Sequence, residues 1–295
     1  LLGAASFEDA RSLRVGDRLI HARRIVICTG ARARVPDVDG LHSVPFLTYD
    51  TLFELEQLPG HLLVLGAGPL GVEMAQAFRR LGATVSVIGP HVLPREEPET
   101  QALIRRVMEH EGIATVLDRA TAVRARGAGV EVQTPNNAVT GDRLLVAAGR
   151  APRVDGLVLE RAGVRYSDRG IPVDRKLRTN VRHIFACGDV LGGAQFSHLA
   201  GWQCFRAVRN ALLPGSSTAD ATVMPAVTFT DPEVARVGLV EKDARERHGD
   251  AVRVHQVPIS AADRAVCDGE PEGFIKLVTN PRGRILESEL GRRDD

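Results

Sequence analysis

Five short apolar runs, rich in aliphatic and β-branched residues, lie along the first two thirds of the chain. Each run has four or five residues and is followed within two positions by a glycine, which is typical of a buried strand that ends in a turn. We therefore predict five buried strands. They span 24–28, 62–65, 84–88, 144–147 and 183–187.

A helix is predicted between the second and third of these strands. Leu70, Met74 and Phe78 recur at helical spacing. Pro69 suits the first turn of a helix, and Gly82 suits its C-terminal stop. The order strand, helix, strand is a βαβ unit and implies that the two strands pair in parallel. Further helices are predicted over 99–111, 199–213 and 241–248.

The pattern changes after a stretch rich in glycine, serine and proline over 214–219, which predicts a domain boundary. Beyond it, strand-like segments accompany one charged helix, which is typical of an α+β arrangement rather than of βαβ units. These segments are 222–229, 253–259 and 274–278. Near the start of the chain, 13–22 has the pattern of a hairpin with its turn at Gly16 and Asp17.

Composition and charge narrow the class of protein. The chain has 295 residues, 44% apolar and 25% charged, which suits about two globular domains. A net charge of +1 does not provide the concentrated positive field that nucleic acid or an anionic membrane attracts, so we expect neither partner. The longest apolar stretch, 62–78, contains Glu73 and is too short and polar to span a bilayer.

The cysteines Cys28, Cys187, Cys204 and Cys267 are far apart in the sequence. No pair has the spacing of a metal knuckle or a local redox pair, so we interpret all four as small buried apolar side chains and predict no metal site. Unpaired cysteines suit a reducing compartment, and we expect the protein in the cytoplasm. No secretory signal follows Leu1, which we interpret as a partial start.

The segment GAGPLG at 66–71 carries the most specific chemistry. It follows a predicted strand and opens a predicted helix within a βαβ unit, which is the context of a dinucleotide-binding turn. Gly66 permits the tight turn, Gly68 allows a pyrophosphate to approach the backbone, and Gly71 lets the helix pack against the strand. The phosphates would lie at the helix N-terminus, where N–H groups and the macrodipole favour negative charge.

The end of the next strand indicates which dinucleotide is bound. An acid there would accept from the ribose of NAD, but this position is Gly89. His91 and Arg95 could contact the 2′-phosphate of NADP, or they could be solvated loop residues. Glu96 and Glu97 would partly cancel the field of Arg95. The sequence therefore favours NADPH only slightly.

Two other strand ends carry candidate ligand-binding groups. Thr29 and Gly30 follow one strand, and Gly188 and Asp189 follow another. A carboxylate at the tip of a buried strand can accept hydrogen bonds from ligand hydroxyls, although Asp189 could equally cap a turn. His198 has no serine or cysteine partner at a recognisable spacing, so no hydrolytic triad is predicted.

Six segments in order resemble the pyridine nucleotide-disulfide oxidoreductase family, which includes dihydrolipoamide dehydrogenase, glutathione reductase and mercuric reductase. Six ordered motifs are far more specific than any one of them. The resemblance runs from about residue 16 to about residue 286. The segments are IVICTGARARVP (25–36), LLVLGAGPLGVEMAQAFRRLGATVSVI (62–88), LLVAAGRAPRVDGL (144–157), LRTNVRHIFACGDV (177–190), FSHLAGWQCFRAVRNAL (196–212) and FTDPEVARVGL (229–239).

The resemblance implies a doubly wound α/β fold in which an NAD(P)-binding domain is inserted into an FAD-binding domain. A truncated α+β dimerisation domain follows, so the full-length parent is expected to be a homodimer. The expected bounds are 1–51 for the first FAD segment, 52–164 for the NAD(P) domain, 165–215 for the second FAD segment and 221–295 for the incomplete dimer-interface domain.

The resemblance also implies roles for matching residues. Glu73 would be catalytic, beside the contact of nicotinamide and flavin. Asp189 would bind the ribityl or pyrophosphate part of FAD, and the helix near His198 would direct its N-terminus at the flavin ring. The expected NAD(P) residues are Gly66, Gly68, Pro69, Leu70, Gly71, Glu73, His91, Arg95 and Gly149. The expected FAD residues are Thr29, Gly30, Arg150, Gly188, Asp189, Gln195, Phe196, Ser197 and His198.

Several family features are absent from this chain. They are the first glycine motif, the CxxxxC redox disulfide, the lysine partner of Glu73 and the C-terminal His–Glu pair. We expect the first three upstream of Leu1. The function implied for the parent is hydride transfer from NAD(P)H to FAD, followed by electron transfer to a disulfide and then to a small-molecule or metal-ion acceptor.

The acceptor is the least determined part of this prediction. PREEPE (94–99), MPAVTFTDPEVARVG (224–238) and the segment 263–278 look most like mercuric reductase, which would make Hg²⁺, reduced to Hg⁰, the substrate. A dihydrolipoamide dehydrogenase-like enzyme remains open, as does a transhydrogenase-like or NADH oxidase-like flavoenzyme. A nucleotide-binding module without turnover is the non-enzymatic alternative.

Overall fold

The computed structural model describes residues 2–215, 217–219 and 224–292 and divides the chain into two compact units. The first unit comprises Leu1–Arg32 and Arg150–Met224, and the second comprises Ala33–Gly149 and Pro225–Asp295. The chain passes between the units after residues 32 and 149. The C-terminal segment, expected as a separate domain, is grouped with the second unit.

The described residues form five α-helices and nineteen strands. The helices are α1 (Pro69–Arg80), α2 (Pro98–His110), α3 (Ser197–Leu212), α4 (Glu241–His248) and α5 (Asp263–Cys267). The strands are β1 (Ala5–Asp9), β2 (Ser12–Val15), β3 (Arg18–His21), β4 (Ile25–Ile27), β5 (Ala31–Ala33), β6 (His61–Leu65), β7 (Thr84–Ile88), β8 (Ala114–Val116), β9 (Ala122–Arg126), β10 (Gly129–Gln133), β11 (Ala138–Gly141), β12 (Arg143–Val146), β13 (Arg150–Pro152), β14 (Ile184–Ala186), β15 (Pro225–Thr228), β16 (Glu233–Gly238), β17 (Arg253–Pro258), β18 (Phe274–Thr279) and β19 (Ile285–Arg292).

A parallel pair of buried strands forms the centre of the first unit. β4 and β14 pair in parallel with Ile25 opposite Ile184, so the strands predicted to precede Gly30 and Gly188 lie in one sheet, as expected. Side chains alternate between the two faces of the pair. On one face Phe185 packs with Ala207 of α3. β2 and β3 form the predicted hairpin, which β1 extends to a three-stranded sheet.

A four-stranded parallel sheet forms the core of the second unit, in the order β12-β6-β7-β8. The connection from β6 through α1 to β7 is the predicted βαβ unit. Val64 and Val85 of the sheet are fully buried with Val72 of α1. In α2, Leu103, Val107 and Met108 are buried, and Met108 is only 1% exposed.

Antiparallel sheets complete the second unit. β9, β10 and β11 form one sheet, and the C-terminal segment forms another in the order β15-β16-β19-β18-β17. Helix α4 has the predicted bounds, whereas β19 continues to Arg292, past the point where the resemblance ends. Within the described residues, no helix combines the length and the apolar character needed to cross a bilayer.

A buried lysine joins the C-terminal segment to the start of α2. Lys276 on β18 is 1% exposed, and its ammonium nitrogen lies 3.1 Å from Glu97 Oε2 and 2.9 Å from Glu241 Oε2. Glu99 Oε1 is 3.3 Å away. Burial disfavours the ammonium form, but the hydrogen bonds to Glu241 and Glu97 outweigh it and raise the pKa of Lys276. The charge is therefore buried but compensated.

Candidate functional site

The GAGPLG turn connects β6 to α1 with the geometry expected from its glycines. Gly66 has a φ of +117°, and a Cβ there would lie 2.5 Å from the carbonyl oxygen of Ala147. A Cβ on Gly71 would lie 1.9 Å from the carbonyl oxygen of Gly66, so the helix can approach the strand this closely only with glycine. A Cβ on Gly68 would meet nothing within 4 Å, so the space beside this residue is open.

The first turn of α1 is available to an anion. Pro69 and Leu70 are its first two residues, and Gly68 at the N-cap provides no side-chain cap for the helix N–H groups. Such N–H groups and the positive end of the helix dipole bind phosphate. The residues present therefore fit the pyrophosphate of a dinucleotide.

The loop after β7 lies against this turn. A Cβ on Gly89 would be 3.1 Å from the backbone nitrogen of Ala67, which leaves little room for a side chain. The missing acid is therefore a consequence of close packing as well as of ligand choice. Because the residue is glycine, no carboxylate is present to accept a hydrogen bond from a ribose hydroxyl or to repel a phosphate.

The neighbouring charges are arranged differently from the sequence-based expectation. His91 and Arg95 are exposed. Glu96 Oε2 accepts a hydrogen bond of 2.9 Å from Arg236 Nε, and its side chain is only 9% exposed. Glu97 pairs with the buried lysine described above. Glu96 is thus paired with Arg236, and Glu97 shares Lys276 with Glu99 and Glu241, so the expected cancellation of the Arg95 field is weaker for Glu96 than the sequence implied.

Glu73 lies on α1 and is half-buried. Its Oε1 accepts a hydrogen bond of 2.8 Å from the backbone N–H of Phe229. Burial raises the pKa of the Glu73 carboxyl above its usual value, and the hydrogen bond from Phe229 opposes this only in part. Gln76 makes two hydrogen bonds to the backbone of Asp231, of 2.8 and 2.7 Å, and this residue was not predicted as part of the site.

In the first unit, three residues expected at the FAD site are joined by hydrogen bonds. Asp189 Oδ2 lies 3.0 Å from Arg150 Nη1. Arg150 also donates to the carbonyl oxygen of Gln195, whose side chain donates to the carbonyl of Asp189 at 3.4 Å. The N–H of Gly188 donates to Gln203 Oε1 at 2.8 Å, and Gln203 on α3 was missed by the sequence reasoning.

The other strand end of the first unit is held by Arg153. Thr29 Oγ1 donates to the Arg153 carbonyl at 2.6 Å, and the N–H of Arg153 donates to the Gly30 carbonyl at 2.9 Å. These bonds fix the backbone at the C-terminal end of β4. The residues that follow β4 and β14 therefore have defined positions beside paired strands, as an ordered ligand site requires.

Helix α3 begins at Ser197, two residues before the predicted start. Phe196 occupies the N-cap without a side-chain cap, and its ring stacks on that of His198 with centroids 5.4 Å apart. N–H groups without a side-chain cap at a helix N-terminus favour an electronegative group. The residues of the first unit thus fit a flavin with its polar chain near Asp189.

The expected site residues form two groups, one in each unit. Gly149 is the last residue of its segment in the second unit, with a φ of +102°, and its carbonyl accepts from the N–H of Arg34 at 3.0 Å. The expected NAD(P) residues all belong to the second unit, and the expected FAD residues all belong to the first.

Three cysteines from distant parts of the sequence come together in the first unit. Cys28 Sγ lies 3.2 Å from Cys187 Sγ and 3.6 Å from Cys204 Sγ, and the last two sulfurs are 3.1 Å apart. The interpretation of all four cysteines as buried apolar side chains is wrong, because Cys28 and Cys267 are exposed and Cys204 is half-buried. The signal was available: Cys28 and Cys187 each follow one of two paired parallel strands.

The thiols are electrostatically unequal. A hydrogen bond from Cys187 lowers the pKa of Cys28 to about 6, and the same interaction raises the pKa of Cys187. Burial raises the pKa of Cys204. Cys28 is therefore the member of the group that most readily becomes a thiolate.

Family comparisons agree with this arrangement. The family model for pyridine nucleotide-disulphide oxidoreductases matches residues 2–204. The chain belongs to this family. The model for the family's dimerisation domain matches residues 224–287, which contain β15 to β18. The pyridine nucleotide-disulphide oxidoreductase fold, with FAD- and NAD-binding domains followed by a dimerisation domain, is thereby confirmed.

Relatives within the family include flavoprotein reductases. The chain is 38% identical to a mercuric reductase of Streptomyces lividans over 98% of its own length and 63% of that protein. It is 35% identical to the probable pyridine nucleotide-disulfide oxidoreductase RclA of Escherichia coli (strain K12), over 98% of its length and 68% of that protein. The chain thus spans less than two thirds of this mercuric reductase.

A solved structure has the same fold across the chain. It is the Cu(II) complex of the HOCl-induced flavoprotein disulfide reductase RclA from Escherichia coli, with a TM-score of 0.90 and 32% sequence identity. The match covers 99% of this chain and 69% of that one.

Proposed function

We propose that the full-length protein is an FAD-dependent NAD(P)H oxidoreductase that passes electrons to a disulfide or thiol-bound acceptor. The observation that carries the proposal is the GAGPLG turn, where glycine is required at Gly66 and Gly71 and open space lies beside Gly68. Family membership adds the flavin. The bound cofactors supply the hydride transfer, and the protein supplies binding, orientation and electrostatics.

Residues of the second unit would bind and orient the nicotinamide nucleotide. The N-terminus of α1 would hold the pyrophosphate, and Gly149 would line the nucleotide at the end of the neighbouring parallel strand β12. Glu73, one turn into α1, is the proposed catalytic residue beside the nicotinamide. Because burial raises its pKa, its carboxyl retains a proton to higher pH than an exposed glutamate does.

Residues of the first unit would bind the flavin. Asp189, held by Arg150, would accept from hydroxyls of the flavin's polar chain, while Thr29 and Gly30 would line the chain's path. The N-terminus of α3, from Phe196 to His198, would stabilise negative charge on the ring system. We also assign the domain limits given by the resemblance, a homodimer formed through the dimerisation domain, and a cytoplasmic location that suits free thiols.

NADPH is the proposed nucleotide. No acid stands at Gly89, and Arg95 and His91 are exposed in the loop that follows. The pairing of Glu96 with Arg236 supports this choice, because it removes a charge that would oppose a 2′-phosphate.

The proposed acceptor is Hg²⁺, with a disulfide as the second candidate. The mercuric reductase relatives at 32–38% identity support the first, and the flavoprotein disulfide reductase RclA supports the second. Thiolates are suitable ligands for a soft metal ion. A dihydrolipoamide dehydrogenase-like activity belongs to the disulfide candidate.

Anaerobic reduction of the flavin tests the proposal. The full-length protein should be yellow as purified, and excess NADPH should bleach its flavin within seconds. The Glu73→Gln variant should retain its flavin but be reduced at least ten-fold more slowly. A colourless protein contradicts the flavin assignment. Flavin and NADPH binding without bleaching would support a binding module instead.

The nucleotide choice has its own test in steady-state kinetics. An exposed charge contact contributes under about 1 kcal/mol, so His91→Ala with Arg95→Ala should raise the KM for NADPH several-fold and leave that for NADH unchanged. Arg253→Ala, an exposed arginine on β17, is the matched control. Equal effects on both nucleotides would remove the basis for NADPH. Rates with Hg²⁺ and with oxidised lipoamide would rank the acceptors.

A further inference from the structure

The three thiols of the first unit have the arrangement of a small metal-ion site. Cys28 follows β4, Cys187 follows β14, and Cys204 lies on α3, so three separate segments direct sulfur atoms to one point. All three sulfurs lie within 4.8 Å of one another. Parallel pairing of β4 and β14 fixes two of the positions, and packing of α3 on that pair fixes the third.

The spacing suits a metal ion bound to three sulfurs. Thiolate sulfur binds a d¹⁰ ion such as zinc at about 2.3 Å, which places three sulfurs in a trigonal plane about 4.0 Å apart. The observed separations of 3.1–3.6 Å are shorter by several tenths of an ångström. On binding, the sulfurs would move apart by this difference through rotation about the Cα–Cβ bonds.

The donor set selects the class of ion. The group contains three cysteines and, among the described residues, no histidine or carboxylate that joins them. Structural zinc sites take four ligands, whereas soft thiolates select Cu(I). The surroundings are apolar, since Cys187 and Cys204 pack with Phe185 and Ala207. An all-sulfur site of three ligands favours a soft ion that accepts three-coordination.

We propose that Cys28, Cys187 and Cys204 form a binding site for a soft, thiophilic d¹⁰ metal ion, with Cu(I) as the ion that fits best. Binding replaces thiol protons with metal–sulfur bonds and releases the protons to solvent. It involves no change of oxidation state. Exposure of Cys28 gives the ion an entry path in this chain. The site is separate from the glycine turn and borders the proposed flavin site, since Cys28 and Cys187 directly precede Thr29 and Gly188, but metal binding does not depend on the proposed reaction.

The test is anaerobic titration of the reduced 295-residue chain with Cu(I) in competition with a chromophoric Cu(I) chelator. We expect one Cu(I) per chain, and X-ray absorption should show about three sulfur neighbours near 2.3 Å. Cys28→Ser and Cys204→Ser should each weaken Cu(I) binding at least ten-fold. Cys267→Ser is the matched control, because this exposed cysteine lies on α5 and outside the group.

Stability measurements separate loss of a ligand from loss of folding. One equivalent of Cu(I) should raise the melting temperature of the unmodified chain and of Cys267→Ser, but not that of Cys28→Ser. Since Cys28 is exposed, its variant should melt near the unmodified chain when no metal is present. Unchanged Cu(I) affinity in Cys28→Ser, an equal loss in Cys267→Ser, or tighter binding of four-coordinate Zn²⁺ would overturn the proposal.

Discussion

Two ionisable residues of the second unit differ in how their burial is compensated. Lys276 has carboxylates from Glu97, Glu99 and Glu241 within 3.3 Å. Glu73 has one backbone N–H from Phe229. The ammonium group of Lys276 is thus surrounded by carboxylates. The carboxylate form of Glu73 is stabilised by one backbone N–H and is otherwise poorly solvated. Their substitution should therefore have opposite effects on stability.

Removing the buried ammonium should be strongly destabilising. In Lys276→Met the buried Glu97 loses its cation, and breaking a buried ion pair from one side costs about 3–5 kcal/mol of unfolding free energy. Urea denaturation of the chain measures it. Lys242→Met, an exposed lysine on α4, should change the unfolding free energy by less than about 0.5 kcal/mol.

The cause of this loss can be isolated with a double variant. Glu97→Gln with Lys276→Met removes the unpaired charge, so it should recover part of the stability lost in Lys276→Met alone. If the double variant is no more stable than the single one, lost packing rather than an uncompensated carboxylate is responsible.

Neutralising Glu73 should stabilise the chain at neutral pH. Because its folded pKa is raised, the folded state holds a proton that the unfolded state has released, and the unfolding free energy falls as pH rises from about 4.3 through the folded pKa. Glu73→Gln removes this loss and keeps the acceptor for Phe229. The gain at pH 7 should be under about 1 kcal/mol, since the side chain is partly exposed.

Denaturant titrations from pH 4.5 to pH 8 check this expectation. The difference between Glu73→Gln and the unmodified chain should grow as pH rises from 4.5 through the folded pKa of Glu73 and should then level off. Glu54→Gln, at an exposed position, should show no such growth. A difference that shrinks with rising pH would mean that the folded state stabilises the carboxylate.

At the scale of residues, the sequence predicted what local geometry dictates. The roles of Gly66, Gly68 and Gly71 follow from adjacent positions in one turn, and the structure bears out their spacing. The pairing of Lys276 with Glu97 could not be predicted in this way, because the two residues are 179 positions apart and only tertiary packing brings them together. Cys28 and Cys187 could have been placed together, since they follow strands expected to share a sheet, but the position of Cys204 depends on how α3 packs.

At the scale of elements, α1 provides a test that separates folding from ligand binding. Gly71→Ala places a Cβ 1.9 Å from the Gly66 carbonyl oxygen, so α1 must move away from β6, at a cost of about 1–3 kcal/mol. Gly68→Ala adds a Cβ in open space, so the unfolding free energy should change little. The same methyl group occupies the space in which the pyrophosphate is proposed to bind.

The contrast is measured by denaturation together with NADPH titration of the full-length protein. Gly68→Ala should weaken NADPH binding at least ten-fold at a nearly unchanged unfolding free energy. The main effect of Gly71→Ala should be a lower unfolding free energy. Full NADPH affinity in a well-folded Gly68→Ala variant would place the nucleotide elsewhere.

The elements that the sequence predicted are those with a buried, apolar pattern. β6, β7, β12 and β14 were predicted because nearly every position in them is buried. β11 alternates only between exposed and half-buried positions, and β19 is largely polar in sequence, so neither has a hydrophobic signal. Such strands are fixed by pairing with neighbours rather than by their own composition.

At the scale of the whole molecule, the C-terminal segment is both a family domain and a part of the second compact unit. The change in pattern near 214–219 predicted a domain that the dimerisation-domain match confirms, and the structure groups Pro225–Asp295 with Ala33–Gly149. Gln76 bonded to Asp231, and Lys276 bonded to Glu97, connect the two segments of the second unit. A hydrogen bond or an ion pair between residues so far apart in the sequence cannot be predicted from local composition.

Shortening the chain should therefore weaken the nucleotide sheet. In a chain that ends at Met224, Glu97 loses Lys276 and Gln76 loses its two bonds to Asp231, although it keeps the one to Glu111, and amide hydrogens of β6 and β7 should exchange with solvent at least ten-fold faster. Hydrogen exchange with mass spectrometry measures this, and amides of β14 in the first unit are the internal control. If the amides of β6 and β7 exchanged at the same rate in the shortened and the 295-residue chain, their sheet would not depend on the C-terminal segment.

The burial of Lys276 also allows local opening of the folded protein to be measured by chemical modification. The sequence contains three lysines, Lys176, Lys242 and Lys276, and the last has an inaccessible amine in the folded state. An amine-reactive tag should modify Lys176 and Lys242 quickly, while Lys276 reacts only when β18 separates from α2. The rate at which the peptide that contains Lys276 gains the tag's mass therefore measures local unfolding, without any engineered reporter residue.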